Sequence, residues 1–236
     1  MKKILLSSIL LVAFMAIANT AFSQKKLKEG VVLFELNTDA MGDSPEMAMM
    51  GGTTLTFYFK DKMQKMDMNM MGGMMRIQTI IPLDKPTDGT VLMDMMGQKI
   101  QITNMDEDQV NSSNNFMNMD NVESVTYDEK NKKDIAGYPC YFANVKTKDG
   151  MSMKYYITEK IQPPMPIKSK DANVLKGYPL EMIIDTGQGV EMTFTAKEVK
   201  KEISDNDFKK GEGYTQMTME EFEKQMGGMG LGGFGN

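Results

Sequence analysis

Thr53-Thr54-Leu55-Thr56-Phe57-Tyr58-Phe59-Lys60 sets Leu55, Phe57 and Phe59 at every second position against Thr54, Thr56 and Tyr58. A period of two is the repeat of an extended chain, whose side chains alternate between faces, so this stretch reads as a half-buried strand. A few residues on, Met66, Met68 and Met70 alternate with Asp67 and Asn69. That spacing projects three thioethers from one side and polar groups from the other. Gly72-Gly73 then turns the chain into Met74 to Ile81, stopped by Pro82.

The same rhythm extends in both directions. Upstream, Val31 to Leu36 is apolar on both faces and is followed by a linker over 39–52 that contains Met, Gly and Pro. Downstream, Thr90 to Met95 and Lys99 to Thr103 flank a hairpin turn at Met96-Gly97-Gln98. Strands then fall at Val122 to Asp128, Tyr138 to Thr147 and Met151 to Glu159, the last two joined by Lys148-Asp149-Gly150. In the third of these Met151, Met153, Tyr155 and Ile157 share a face. Leu180 to Asp185 and Val190 to Lys201 make a final hairpin in which Val190, Met192, Phe194 and Ala196 point inward.

Between these strands, residues 104–121 are rich in Asn, Asp and Ser without a period, and the three prolines of Gln162-Pro163-Pro164-Met165-Pro166 lack backbone donors, so both read as loops. Residues 171–176 suit one helical turn. Thr218 with Glu221 three residues on has capping-box spacing, which predicts a helix over 219–226. The glycine-dominated 227–236 stretch is expected to be a disordered Met/Gly tail. About ten short strands with one or two short helices predict a mainly β fold: a single curved antiparallel sheet of half-barrel type over 24–226.

The start of the chain has a different character. Met1-Lys2-Lys3 is basic, Ile4 to Ala18 is an apolar run, and Ala21 and Ser23 are the small residues a signal peptidase requires. Residues 1–23 are therefore expected to be a cleaved signal peptide, and the mature protein to be periplasmic or secreted without a stable membrane anchor. Removing Lys2 and Lys3 leaves 25 basic against 32 acidic residues, which takes the formal charge from −5 to −7. Nucleic acid is an unsuitable partner for such a chain, because binding it requires a basic surface that releases counterions.

Residue types narrow the chemistry further. Histidine is absent, which removes the commonest general base and the commonest ligand for zinc and copper(II). Cys140 is the one cysteine, so no internal disulfide forms, and a small buried hydrophobe in a strand is its simplest reading. Gly42-Asp43-Ser44 has the look of an esterase nucleophile block but lacks a histidine base. Asp106, Glu107 and Asp108 lack the Gly and terminal Glu of a calcium loop. The expectation is a protein that is not an enzyme and carries no cofactor.

Methionine is the anomaly: 28 in the chain, and 26 once Met1 and Met15 leave with the leader. One reading is an adaptable apolar face. Burying a Met side chain gains about 1.5–3 kcal/mol, yet fixing it can lose up to about 2 kcal/mol of rotamer entropy, so repeated choice of Met in strands favours a surface that repacks around its cargo. The lining residues on this reading are Phe57, Phe59, Met66, Met68, Met70, Met93, Met95, Met151, Met153, Tyr155, Met192 and Phe194, and the partner is a lipid or a lipidated protein. A second reading is copper(I), for which thioethers are suitably soft donors, with Met68, Met70, Met71, Met74 and Met75 as the densest candidates. A third is a structural domain whose core Met merely fills.

Lys133-Asp134-Ile135-Ala136-Gly137-Tyr138-Pro139-Cys140, then Tyr155-Tyr156-Ile157-Thr158, then Leu175-Lys176-Gly177-Tyr178-Pro179-Leu180 resemble an uncharacterised Met- and Gly-rich exported bacterial family (domain of unknown function 4412). That family is distantly similar to the periplasmic lipoprotein carriers, whose unclosed antiparallel barrel wraps a helical lid and holds acyl chains. The resemblance implies the carrier reading and supplies no catalytic residues.

Overall fold

The computed structural model describes residues 26–37, 50–103, 122–148, 152–164, 175–185 and 191–227. The expected signal peptide, residues 39–49 of the linker with Gly42-Asp43-Ser44, the 104–121 loop, Asp149, Gly150 and Met151, residues 171–174 of the expected helical turn, Val190 and the tail beyond 227 lie outside them.

The described residues form one open, curved sheet with very few helices. Its strands are β1 (Gly30–Asn37), β2 (Thr54–Lys60), β3 (Met63–Met70), β4 (Met75–Pro82), β5 (Thr90–Met95), β6 (Gln98–Ile102), β7 (Val122–Ile135), β8 (Tyr138–Thr147), β9 (Ser152–Thr158), β10 (Tyr178–Asp185), β11 (Glu191–Lys200) and β12 (Thr215–Met217). The order across the sheet is β12-β6-β5-β4-β3-β2-β1-β11-β10-β9-β8-β7. Two antiparallel meanders, β1–β6 and β7–β11, are thus fused where β1 pairs with β11.

Turn chemistry explains the hairpins. Ala136 and Gly137 between β7 and β8 both have positive φ, 49° and 79°, as do Met96 and Gly97 between β5 and β6, at 52° and 86°. Two successive left-handed residues give the mirror-image turn whose twist matches that of paired strands. The Ala-Gly of the family-like block is therefore a hairpin turn. The second Gly-Tyr-Pro begins β10, so the two Gly-Tyr-Pro triplets open the strands on either side of β9.

The sequence expectation differs from the structure at both edges of the sheet. At one edge β7 continues past Asp128 to Ile135 and is bulged between Asp128 and Lys132. At the other, β12 runs parallel to β6, which makes the sheet mixed instead of wholly antiparallel. Three residues are too few to show a period, and the run Asp128 to Asp134 carries charges in place of alternation. Charge and a bulge on β7, and brevity in β12, blunt edges that would otherwise template pairing with another chain.

The sheet has two unlike faces, inner and outer. On the outer face Asp67 is buried at 7% exposure; it accepts hydrogen bonds from Arg76 at 2.9 and 2.6 Å and from Gln78 at 2.8 Å. The chain after β11 crosses this face: Lys65 Nζ donates to the Asp207 carbonyl at 3.0 Å, Lys60 pairs with Asp205, and Lys99 lies over the Tyr214 ring. After β12 the chain passes to the inner face as α1 (Met219–Gly227), where Met219 and Phe222 pack against Ile81, Val91, Ile100 and Ile102. The helix starts as its sequence predicts: Thr218 Oγ1 accepts from the Glu221 N–H, and the Glu221 carboxylate accepts from the Thr218 N–H at 2.8 Å.

The main core lies on the inner face, where Val32, Phe34, Leu55, Ile157, Leu180 and Met182 are fully buried. Curvature brings strands that are not neighbours together. Phe59 of β2 meets Tyr178 of β10 with ring centroids 6.0 Å apart, although β1 and β11 lie between those strands. Gly30 of β1 stands opposite Phe59 in register, and a Cβ there would come within 2.5 Å of the Lys200 carbonyl oxygen. Gly30→Ala is accordingly expected to push β1 from β11 and lower the unfolding free energy by about 1–3 kcal/mol in urea titration. A change near zero would show that the seam yields freely.

Candidate functional site

Residues directly opposite one another in an antiparallel pair project to the same side of the sheet. The registers therefore trace rows across the inner face. One runs Phe57, Met66, Thr79, Val91 and Ile102; the next runs Leu55, Met68, Ile77, Met93 and Ile100; the last runs Met70, Met75 and Met95. Across the seam the rows continue as Leu36, Phe194, Met182, Tyr155 and Ala143, and as Met192, Ile184, Met153 and Val145.

Every residue expected to line the site, apart from Met151, thus falls within the described residues and on this one face. Burial divides them. Phe59, Met66, Met68, Tyr155 and Phe194 are buried and belong to the packed core, whereas Phe57, Met70, Met93, Met95, Met153 and Met192 are half-buried. The half-buried methionines gather toward the end at which β3, β5 and β10 finish and β4, β9 and β11 begin. The inner face therefore has a rigid floor and a methionine rim at one end.

The copper candidates also separate. Met70 and Met75 are direct cross-strand partners, and Met68 is two residues along the same face of β3. Met71 and Met74 lie in and beside the short 3-10 turn that joins β3 to β4, with Met74 half exposed. Met95, which completes the Met70–Met75 row, was missing from the sequence-derived set. The signal was present: a hairpin closed on Gly72-Gly73 and another on Gly97 bring Met70, Met75 and Met95 level once β4 and β5 are paired.

Polar atoms on the inner face are few. Thr79 Oγ1 and the Tyr178 hydroxyl are buried without a hydrogen-bond partner among the described residues, and burial pushes the Tyr178 hydroxyl far above its ordinary value of 10. The Tyr155 hydroxyl donates to the Met153 sulfur at 3.3 Å, and burial raises it to about 12. Cys140 is buried in β8; burial raises its thiol to about 12, so it stays protonated and unreactive at neutral pH. No group of three Cys, Asp or Glu side chains among the described residues is placed to hold a metal ion.

A cleft of about 810 Å³ lies elsewhere, at the opposite end of the sheet, lined by Lys26, Lys28, Lys160 and Lys201 with Glu29 and Asp61. Leu27, Tyr138, Pro163 and Pro164 also line it, and it shares no residue with the methionine face. No helix among the described residues is long and apolar enough to cross a membrane.

The sequence matches no protein-family model and no curated protein. Among solved structures the chain is similar to one in the complex of MucA with MucB from Pseudomonas aeruginosa, at 10% identity and a TM-score of 0.41, over 78% of this chain and 56% of that one. It is also similar to LprF from Mycobacterium bovis, at 11% identity and a TM-score of 0.33, over 75% and 88% of the two chains. A third is a DUF1329 family protein from Desulfovibrio piger, at 11% identity and a TM-score of 0.22, over 82% and 94%. The chain spans little more than half the length of the first of these.

A buried hydroxyl without a partner costs about 1–3 kcal/mol. Tyr178→Phe removes it while keeping the ring against Phe59, and is expected to raise the melting temperature of the ligand-free protein by several degrees. A fall in that temperature would mean that the hydroxyl is satisfied after all.

Proposed function

We propose that this protein is an exported, non-catalytic binding protein that holds an apolar ligand, a lipid chain or the acyl group of a lipidated protein, on the methionine rim of its inner face. The observation that carries this reading is the alignment in register of Met70, Met75, Met93, Met95, Met153 and Met192, half-buried, on one side of a single curved sheet. Unbranched thioether side chains change rotamer at low cost and accommodate apolar partners of variable shape. A lineage that needed only a tight core at these positions is served better by Val or Ile, which hold a strand rigidly.

Two further features support the reading. Beside the rim, α1 lays Met219 and Phe222 over the same face, so part of the apolar surface is already sheltered from water. The Thr79 hydroxyl, buried on the same face without a partner among the described residues, is a donor that a ligand's ester or carboxyl oxygen would satisfy. Absence of histidine and the protonated state of Cys140 agree with binding without chemistry. Export rests on the leader-like Met1 to Ser23.

The protein purified without detergent is expected to release lipid on solvent extraction, identified by mass spectrometry, and to bind a fluorescent fatty acid. Met93→Gln with Met192→Gln, which places amides on the rim at nearly constant volume, is expected to weaken the probe by about tenfold or more, equivalent to about 1.4 kcal/mol. Met96→Gln, at an exposed turn, leaves it unchanged. An extract free of lipid together with no binding of the probe defeats the proposal.

A further inference from the structure

We propose that Met70, Met75 and Met95 form a binding site for a soft monovalent metal ion, copper(I) being the biological ion this donor set selects, at the tip where the β3–β4 and β5–β6 hairpins lie side by side. The inference does not rest on the apolar-ligand reading: it concerns one row of the inner face and stands or falls separately.

Register makes the site. Met70 is opposite Met75 and Met75 is opposite Met95, so three thioethers on three adjacent strands project to the same side. Neighbouring strands lie about 4.7–4.9 Å apart, and directly opposed Cβ atoms about 4.5–5.5 Å. A methionine has three rotatable side-chain bonds, which lets the outer two sulfurs lean over the middle one and converge on a single ion. All three side chains are half-buried, open enough for an ion to enter and dry enough to hold it against water.

The hairpin tips beside this row add a second, independent observation. Met71 and Met96 both occupy the left-handed backbone region, at φ 55° and 52°. For a residue with a Cβ that conformation costs roughly 1–2 kcal/mol. The position of Met96, the first central residue of its turn, is one where Asn, Asp or Gly is strongly favoured. Met74 and Met96 are also the large hydrophobic side chains left exposed among the described residues, at 50% and 82%. The Met96 N–H donates to the Met74 carbonyl at 2.9 Å, which ties the two tips together, while the Gly97 N–H closes its own turn on the Asp94 carboxylate at 3.1 Å. Six sulfurs, from Met70, Met71, Met74, Met75, Met95 and Met96, thus crowd one end of two hairpins, two of them on strained backbone and two facing solvent. Packing explains none of the choices at Met71, Met74 and Met96; a soft ion with entry ligands explains all three.

The chemistry follows from the donor type. Neutral thioethers bind copper(I) and silver(I) and discriminate against hard divalent ions. They carry no proton to lose, so affinity is independent of pH where carboxylate, thiol or imidazole sites weaken on acidification. The nearest buried carboxylate, Asp67, faces the other side of the sheet and is engaged by Arg76 and Gln78.

The test is anaerobic titration of the full chain with copper(I) against a chromophoric chelator, repeated with silver(I). One equivalent is expected to be withdrawn from the chelator with the same affinity at pH 5 and pH 7, and X-ray absorption at copper is expected to show sulfur neighbours alone. Met70→Leu with Met75→Leu and Met95→Leu, near-isosteric changes, is expected to reduce the affinity by about tenfold or more, a loss of about 1.4 kcal/mol. Met153→Leu with Met192→Leu, on the same face but across the seam, retains it. Should the triple variant fail to fold, Met95→Leu alone, at a strand end, is expected to show the same loss in smaller measure. A wild-type chain that does not compete, an affinity that rises between pH 5 and pH 7, or a triple variant that binds like the wild type overturns the proposal. Lipid release by the same variants is scored separately, so loss of metal binding with lipid retained leaves the apolar-ligand reading intact.

Discussion

The pairing of β1 with β11 is the constraint on which the remaining structure depends. Each meander alone is a sheet with one apolar face and two open edges, and the seam joins them into one surface. Leu36 stands opposite Phe194, and a slip of one residue would turn every inner side chain of one meander to the outside. Since Phe34 and Leu36 are directly opposed to Ala196 and Phe194, the apolar rows of both halves lie on the same side. Burial of Val32 and Phe34 at 0% exposure makes the alternative registers costly.

This seam also separates rigidity from adaptability. Around it the inner face is filled by Phe34, Leu55, Leu180 and Met182, with no exposed surface. Away from it, toward one end, the same rows finish in half-buried methionines. The outer face is polar yet not simply wet: its two buried carboxylates among the described residues, Asp67 and Glu181, are each matched by a cation, Arg76 and Lys133, and Glu181 also accepts a hydrogen bond from Thr195 at 3.0 Å. A buried carboxylate without its partner would be strongly unfavourable, so these pairs hold the outer side chains in one arrangement and restrict which way the sheet can flip.

Legibility from sequence followed the strength of the period. Thr54 to Lys60, Met63 to Met70 and Glu191 to Lys200 alternate clearly, and their inward faces could be assigned residue by residue. Val31 to Leu36 is apolar on both faces apart from Glu35, so alternation orients it poorly; its place in the centre of the sheet supplies the reason, since a strand between two neighbours with partly covered faces has little need of polar positions. The fusion of the meanders through β1 and β11 was not legible, because cross-strand partners 160 or so residues apart leave no local trace. β12 was invisible for its brevity. In the candidate site the individual faces were readable, but the level at which Met70, Met75 and Met95 meet depended on hairpin registers set by left-handed Met71 and Met96, residues that turn statistics place elsewhere. Thr79 and Tyr178 gave no sequence signal, as a buried hydroxyl differs from an exposed one only by its neighbours.

The passage of the chain from the outer face to the inner one through β12 has a mechanical side. Among the described residues this crossover is held by the short ladder from Thr215–Ile100 to Met217–Ile102 and by Lys99 over the Tyr214 ring, and Met217, Met219 and Phe222 fasten it and α1 to the inner face. Regions held by so few contacts open at a small fraction of the free energy that unfolds a whole domain. The terminal strap, which covers part of β4 to β6, is therefore held at a lower free-energy cost of opening than the seam.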